Sequence, residues 1–517
     1  MDKNNFIGKL NNSYTFKGES ILLGSAILGD DYETGCQVRL PLKTFNRHGL
    51  IAGATGTGKT KTLQVIMESL SDAGVPVLAM DIKGDLSGLG AEGEKNPIVE
   101  KRIKMIGMDW AGKSYPLEFL SISDEPGVRL RATISEYGPV LLSKILGLNE
   151  SQEGVVSMIF KYCDDRKLPL LDLKDLKSVL TFAQDEGKEE FKKEYGFLST
   201  SSAGTILRNI ISLEQQGASS IFGEPSFDVF DLMKKNRDGQ GMINILRLTD
   251  MQSKPDLFST FMLCLLAEIF QTMPELGDPD KPELVIFIDE AHLIFRNASK
   301  TLLDQFEMTI KLIRSKGVGI FFITQSPADI PAEILGQLGT KVQHALRAFT
   351  AKDRKDIKSA SENYPLSDFY QVDELITQLG IGEAFVTGLD EKGRPTELVN
   401  TLMRPPYSRM DVLSAAEINK YIHNSDLIKE YNTEMDRESA FEMLKKRLAS
   451  EKDEAEREQE SDDEGRSGSE RNEESTFEQV LKSPITNMVA REVTRGLLGV
   501  LGLRSSRTRT SRSKGWF

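Results

Sequence analysis

One short run near the N-terminus has the composition and spacing of a phosphate-binding loop. It fits the pattern GxxxxGK[ST], and its members are Gly53, Ala54, Thr55, Gly56, Thr57, Gly58, Lys59 and Thr60. Glycines in such a loop let backbone N–H groups turn toward a phosphate, and the following helix adds its positive N-terminal dipole. The lysine reaches the β- and γ-phosphates, and the threonine hydroxyl ligates Mg²⁺. The pattern therefore predicts that this loop binds a magnesium–nucleoside triphosphate.

A pair of adjacent acidic residues follows an apolar run much later in the chain. The run 284–288 leads directly into Asp289 and Glu290. An aspartate at the tip of a buried strand can hold the Mg²⁺ shell, and the glutamate can orient or deprotonate an attacking water. Two solvated acids that merely end a strand are the alternative. Because a P-loop lies upstream, the pair favours hydrolysis of the nucleotide by water.

Three further polar residues each have two interpretations from their local sequence. Gln325 ends the next apolar run, where its amide could sense the γ-phosphate or simply terminate a strand. Arg314 follows a predicted helix and could be an arginine finger for a neighbouring subunit or a cation at the helix C-terminus. Arg347 lies in an apolar run predicted as a strand, where its partner would be a phosphate or a core carboxylate. We count Arg347, and also Thr62, among the nucleotide-binding residues.

The elements around these residues predict an α/β fold with a mainly parallel sheet. A strand at 49–52, the P-loop, and a helix at about 60–73 begin a βα pattern. The runs 284–288 and 319–323 are almost continuously apolar, as expected for parallel strands buried on both faces. Between them, 302–313 has an apolar stripe at helical spacing.

Composition divides the rest of the chain into segments. We expect a short strand segment at 1–47, a nucleotide-binding core at 48–120 and 236–406, a mostly helical insertion at 121–235, C-terminal helices at 407–449, an acidic disordered linker at 450–475, and an apolar helix with a basic tail at 476–517. The formal net charge is −13, of which the linker holds −8, while the tail holds +6. This acidic balance argues against indiscriminate coating of nucleic acid but leaves room for a local basic channel.

The placement of the cysteines and the hydropathy of the chain indicate the cellular compartment. Cys36, Cys163 and Cys264 are far apart and form no CxxC pair, so neither a cysteine zinc site nor a disulfide framework is expected. The longest apolar stretch, 261–270, is interrupted by Glu268 and is shorter than the ~20 residues needed to span a bilayer. No signal peptide is evident. We expect a cytoplasmic protein without an integral membrane segment.

Together these motifs resemble the HerA/FtsK group of ring-forming P-loop ATPases, and most closely the HerA-like helicases of the YjgR branch. The blocks that carry the resemblance are 47–53 leading into the P-loop, 77–85 with its Asp-Ile-Lys-Gly-Asp end, 289–292, 314–327 and 346–349. They occur in the expected order. The HerA-type barrel that normally precedes the P-loop does not fit in the residues ahead of Gly53.

The resemblance implies a RecA-like core, ATP and Mg²⁺ as cofactors, and a hexamer with nucleotide sites between subunits. The residue roles that it implies are Lys59 and Thr60 for phosphate and magnesium, Asp289 for the metal, Glu290 as the catalytic acid/base, Gln325 as the sensor, and Arg314 as the arginine acting in trans. It further implies a motor that uses ATP hydrolysis to move on double-stranded DNA. The alternative is a regulatory or assembly ATPase that acts on a protein partner, which the acidic core keeps open.

Overall fold

A sheet of twelve strands organises the residues that the structure describes. The structure is a computed structural model, and it describes residues 3–466 except 30, 297–299, 349, 434 and 436. The strands are β1 (Ser20–Leu28), β2 (Asp31–Pro41), β3 (Gly49–Ala52), β4 (Val77–Asp81), β5 (Leu117–Ser121), β6 (Val128–Arg129), β7 (Ile243–Arg247), β8 (Leu284–Ile288), β9 (Val318–Thr324), β10 (Thr340–Gln343), β11 (Glu383–Thr387) and β12 (Val399–Met403).

The sheet has a parallel part and an antiparallel part. Its order is β2-β1-β12-β11-β10-β3-β9-β8-β4-β7-β5-β6. All neighbours from β10 to β6 are parallel, and all neighbours from β2 to β10 are antiparallel. Every residue of β3, β4, β8 and β9 is buried, which explains their continuous apolar runs. The predicted, mainly parallel α/β sheet is confirmed.

Helices cover the sheet and fill the long connections. They are α1 (Lys3–Tyr14), α2 (Lys59–Asp72), α3 (Pro97–Ile106), α4 (Ile134–Ile145), α5 (Glu150–Arg166), α6 (Leu173–Gln184), α7 (Lys188–Glu194), α8 (Thr200–Gln215), α9 (Pro255–Thr272), α10 (His292–Phe295), α11 (Lys300–Ile313), α12 (Ala332–Leu335), α13 (Ala351–Ser361), α14 (Val372–Leu375), α15 (Ala415–Asn424), α16 (Asp426–Tyr431) and α17 (Ala440–Arg466). Five of them, α4 to α8, lie within 121–235.

The N-terminal segment differs from the expected strands and turns, because it begins with α1. Phe6, Leu10 and Tyr14 follow one another at intervals of four residues and are all buried. Such spacing places three apolar side chains on one helical face. The Tyr14 hydroxyl also donates to the carbonyl of Glu397, 2.6 Å away. Burial of this face against the sheet therefore stabilises a helix in a stretch whose polar residues have no strong helix propensity.

The acidic segment also differs from expectation, because α17 extends to Arg466 where a disordered linker was predicted from residue 450. Glutamate, lysine and arginine are good helix formers, and Arg447 pairs with Glu451 at 2.8 Å across one turn. By contact density the chain separates into Met1–Lys445 and Lys446–Phe517. The predicted apolar helix and basic tail lie outside the described residues. Among the helices of residues 3–466, none has the length and hydropathy to cross a bilayer.

Candidate active site

The P-loop connects β3 to α2 in a conformation that requires glycine. Gly53, Gly56 and Gly58 have φ angles of 151°, 79° and 113°, which other residues rarely adopt. A Cβ on Gly53 would lie 2.5 Å from Cβ of His344, so this position has no room for a side chain. No side chain caps the N-terminus of α2. The first N–H groups of α2 are thus free of a side-chain acceptor, which is the arrangement that favours a bound phosphate.

Lys59 folds over this loop. Its Nζ donates to the carbonyl oxygens of Gly53 at 2.5 Å and Ala54 at 3.0 Å. Burial lowers the pKa of Lys59, and the nearby charge of Lys83 lowers it further, while Glu290 and other acids oppose the shift. The lysine is thus desolvated and held at the mouth of the loop, where a phosphate would compete for its ammonium group.

The acidic pair lies at the same edge of the sheet. Because β3, β9, β8 and β4 are parallel neighbours, residues that follow their carboxyl ends come together. Asp289 and Glu290 follow β8, and both side chains are 9% exposed. Burial raises the pKa of Asp289 to about 6, with Lys83 opposing the shift. Glu290 has a φ of 47°, a left-handed conformation that is strained for a residue with a side chain.

The loop after β4 completes this edge. Asp85 Oδ2 accepts a hydrogen bond of 3.1 Å from the Thr60 hydroxyl, and Lys83 Nζ contacts both Asp289 and Glu290. The individual contributions of Lys83 and Asp85 were missed from the sequence, although their block was part of the family resemblance. The signal was available, because both residues come just after an apolar strand, as Asp289 and Glu290 do.

A buried histidine, His344, contacts the start of the helix that follows the P-loop. It was also not expected from the sequence. His344 follows β10, and its Nε2 lies 3.0 Å from the Thr62 hydroxyl, while its Nδ1 lies 2.9 Å from the carbonyl of Glu383. Burial lowers the pKa of His344 to about 4. Thr62 was expected among the nucleotide-binding residues, but its hydroxyl is buried and engaged with His344. This placement indicates support of the loop rather than contact with phosphate.

Gln325 and Arg347 line one cavity of about 640 Å³ beside the P-loop, together with Thr55. Both side chains are exposed. The expectation that Arg347 lies in a strand is wrong, because β10 ends at Gln343. The chain leaves the sheet there, since the carbonyl of Ala345 accepts the N–H of Ala54 at 2.8 Å. Arg347 therefore needs no partner in the core.

Arg314 lies at the opposite edge of the sheet from the P-loop. It follows α11 and precedes β9, so it is near the amino end of a strand whose carboxyl end leads to Gln325. The register pairs Ala52, just before the P-loop, with Thr324, the last residue of β9. Seven strand residues at about 3.3 Å each separate the two edges by roughly 20 Å. Arg314 is exposed, and it cannot reach the P-loop of its own chain.

The residues at the carboxyl edge fit a magnesium nucleotide. The fit rests on the glycine cradle, the uncapped start of α2, the buried lysine, and the hydroxyl and carboxylate oxygens of Thr60 and Asp289, which are ligands that Mg²⁺ prefers. When bound, Mg²⁺ would neutralise charge on the phosphates.

Comparison with known proteins identifies the family. The model of the helicase HerA-like C-terminal family matches residues 27–507. The chain belongs to the HerA-like helicase family. It is 24% identical over 383 residues to the DNA double-strand break repair helicase HerA of Saccharolobus solfataricus, covering 74% of this chain and 68% of that protein. The protein of the same description from Sulfurisphaera tokodaii is 25% identical over 382 residues, covering 73% and 68%.

Solved structures show the same fold in other proteins. The plasmid coupling protein TrwB bound to a non-hydrolysable ATP analogue superimposes on this HerA-like chain with a TM-score of 0.52 at 15% identity, covering 79% of this chain and 95% of TrwB. An unbound form of TrwB gives a TM-score of 0.51 at 16% identity, covering 79% and 94%. The fold is thus that of a RecA-like P-loop NTPase. This HerA-like chain is a P-loop ATPase, and ATP with Mg²⁺ is the pair that its family membership assigns to the site.

Proposed function

We propose that this HerA-like chain is an ATP-driven motor that forms a ring, in which each nucleotide site is shared by two subunits, and moves along double-stranded DNA. The position of Arg314, roughly 20 Å from the P-loop of its own chain, supports the proposal of a shared site. A family arginine that acts on nucleotide must then act on that of a neighbour. A ring gives every subunit one neighbour on each side, and the family resemblance supports six subunits.

In the proposed reaction, water attacks the γ-phosphorus, the bond to the β-phosphate oxygen breaks, and ADP and phosphate leave. Glu290 takes the proton of the attacking water, and Gln325 orients that water. Lys59 holds the β- and γ-phosphates. Thr60 and Asp289 would hold the magnesium ion, and Arg314 of a neighbouring subunit neutralises charge that develops in the transition state.

DNA as the moving substrate is supported by the relatives, which are described as DNA double-strand break repair helicases. A net charge of −13 requires that any cationic path be local. We also propose a cytosolic location. The three cysteines support it, because all are buried free thiols, as is usual for proteins of reducing compartments.

The test is the rate of ATP hydrolysis with and without double-stranded DNA over a series of salt concentrations. We expect stimulation at low salt that declines steeply as salt rises, because each released counterion contributes to the salt dependence. Lys59→Ala should lack hydrolysis at every salt concentration. If the wild-type protein hydrolyses ATP but DNA gives no stimulation at low salt, the alternative of an ATPase that acts on a protein partner is favoured.

A further inference from the structure

Helix α13 carries a row of cations on the face that points away from the protein. Its exposed cations are Lys352, Arg354, Lys355 and Lys358. The opposite face is anchored by Ile357, which is buried and belongs to the main apolar core. The helix therefore holds its cations outward on a fixed support.

Neither acidic residue of α13 is paired with these cations. Asp353 caps the helix, because its Oδ2 accepts from the N–H of Thr350 at 2.8 Å while its own N–H donates to the Thr350 hydroxyl at 3.1 Å. Asp356 lines both the cavity beside the P-loop and an adjoining cavity of about 750 Å³. In the part of the chain that the structure describes, no acidic side chain forms an ion pair with the four cations. The positive charge of this face thus remains accessible to a partner.

The cations of α1 show the contrast. Lys3 pairs with Glu33 at 2.7 Å, and Lys9 pairs with Asp368 at 2.6 Å, so both lysines of that helix have acidic partners. The net charge of the chain is −13, which makes a helix face with four cations and no acidic partner a local departure from its general balance. Such a face attracts a polyanion.

The position and dimensions of this face suit a DNA strand. Residues of α13 line the cavity that also contains Gln325 and the P-loop residue Thr55, so the helix lies beside the nucleotide site. At 1.5 Å per residue, Lys352 and Lys358 are about 9 Å apart along the helix axis. The phosphates of one strand recur every ~3.4 Å along the axis of a duplex, so the face is long enough for about three of them.

We propose that the outer face of α13, formed by Lys352, Arg354, Lys355 and Lys358, binds the phosphate backbone of double-stranded DNA. The inference rests on the proposed function, because it names the surface with which the motor holds its polymer. Contacts from these side chains to phosphates are electrostatic and carry no base specificity. They place the polymer next to the site at which ATP is hydrolysed.

The test measures binding of a fluorescent DNA duplex to the full-length chain over a salt series, with a non-hydrolysable ATP analogue and Mg²⁺ present. In a triple variant with Lys352→Gln, Lys355→Gln and Lys358→Gln, the Kd at low salt should rise at least about tenfold. The slope of log affinity against log salt should fall by about two to three, since each lost phosphate contact removes roughly 0.9. Arginine at the same three positions keeps the charges and should leave the Kd within about twofold of wild type.

Helix α7 supplies a matched control, because Lys188, Lys192 and Lys193 are exposed there and their change to glutamine removes the same charge. This control should bind DNA within about twofold of wild type. The melting temperature and the affinity for the ATP analogue check that each variant is folded. Lys355→Gln alone should lower the salt slope by about one and replaces the triple variant if that does not fold.

The inference would be overturned if the glutamine variants of α13 kept the wild-type salt slope, or if the α7 control lost as much affinity as the α13 triple variant. A wild-type chain that bound no duplex even at low salt would instead contradict the proposed movement on DNA, and this inference would fail with it.

Discussion

The two edges of the parallel sheet are built in opposite ways. At the carboxyl edge, Lys59, Asp289 and Glu290 are buried and surrounded by other charged groups, and burial shifts the pKa values of the first two. At the amino edge, Arg314 is exposed to solvent in a short turn after α11. The carboxyl edge is a concentrated, pre-organised site, whereas Arg314 at the amino edge faces solvent.

This difference explains how one chain can hold parts of two sites. Buried charges are costly unless they have partners, so the carboxyl edge must be assembled within the subunit. An exposed arginine has no such desolvation cost and remains accessible to another subunit. Removing a charge at each edge should therefore have different consequences in isolated and mixed assemblies.

The largest effect is expected at the amino edge. Arg314→Ala should reduce ATP hydrolysis by about 10³-fold or more, because loss of an arginine finger removes charge stabilisation from the transition state. Binding of a non-hydrolysable ATP analogue should persist, since the P-loop is intact. Steady-state hydrolysis and analogue binding measure the two consequences, and Arg394→Ala, a change of an exposed arginine elsewhere, is the matched control.

Mixed assemblies decide whether Arg314 acts between subunits. Subunits with Arg314→Ala keep an intact carboxyl edge, and subunits with Glu290→Gln keep an intact amino edge. Where an Arg314→Ala site receives the arginine of a Glu290→Gln neighbour, a complete site forms and hydrolysis should return. Mixtures that stay as inactive as the separate variants would contradict a shared site.

A smaller effect is expected from two buried histidines, one at each edge. His48 precedes β3, and His344 follows β10; burial lowers the pKa of both to about 4. Below the ordinary pKa of 6.5 the unfolded chain binds protons that the folded chain does not. Each histidine should therefore lower the free energy of unfolding by about 3 kcal/mol between pH 6.5 and pH 4, while Asp81, Glu118 and Asp289, whose pKa values are raised by burial, act in the opposite direction. The difference between wild type and each histidine variant in urea unfolding, at several pH values, measures the contribution of that histidine.

Substitution of each histidine separates stability from nucleotide binding. His48→Gln and His344→Gln should each remove a pH-dependent contribution of about 3 kcal/mol. Only His344→Gln should also weaken binding of the ATP analogue, by about three- to tenfold, because His344 contacts Thr62 behind the P-loop. An equal loss of nucleotide affinity in both variants would mean that the two edges are not functionally distinct.

The sequence predicted the carboxyl edge better than the rest, for a physical reason. Lys59, Thr60, Asp289 and Glu290 belong to local patterns in which a strand, a turn and a polar residue are consecutive. Local spacing placed Lys83 just after a strand, but its contacts with Asp289 and Glu290 depend on the order of strands in the sheet, which local spacing does not encode. The same holds for the contact of His344 with Thr62. Arg347 was placed in a strand because its neighbours are apolar, although those neighbours pack against the P-loop instead of continuing β10.

Helices α1 and α17 were not predicted, because their stabilisation differs from that of a typical amphipathic helix. The apolar residues of α1 are few, and their burial depends on residues such as Phe369 and Val386, which lie more than 350 residues later. The acidic composition of α17 resembles that of a disordered linker, but pairs such as Arg447 with Glu451 also suit a solvated helix.

The smallest effect is expected from Thr62→Val, which tests whether this residue supports the P-loop or contacts nucleotide. Valine keeps the shape of threonine but leaves Nε2 of His344 without its hydroxyl partner, so the free energy of unfolding should fall by about 1 kcal/mol. Affinity for the ATP analogue should fall at most about threefold, against loss of detectable binding in Lys59→Ala. Calorimetric titration of the analogue measures both variants. If Thr62→Val lost nucleotide binding as completely as Lys59→Ala, Thr62 would belong with the phosphate-binding residues, and the buried contact with His344 would be incidental.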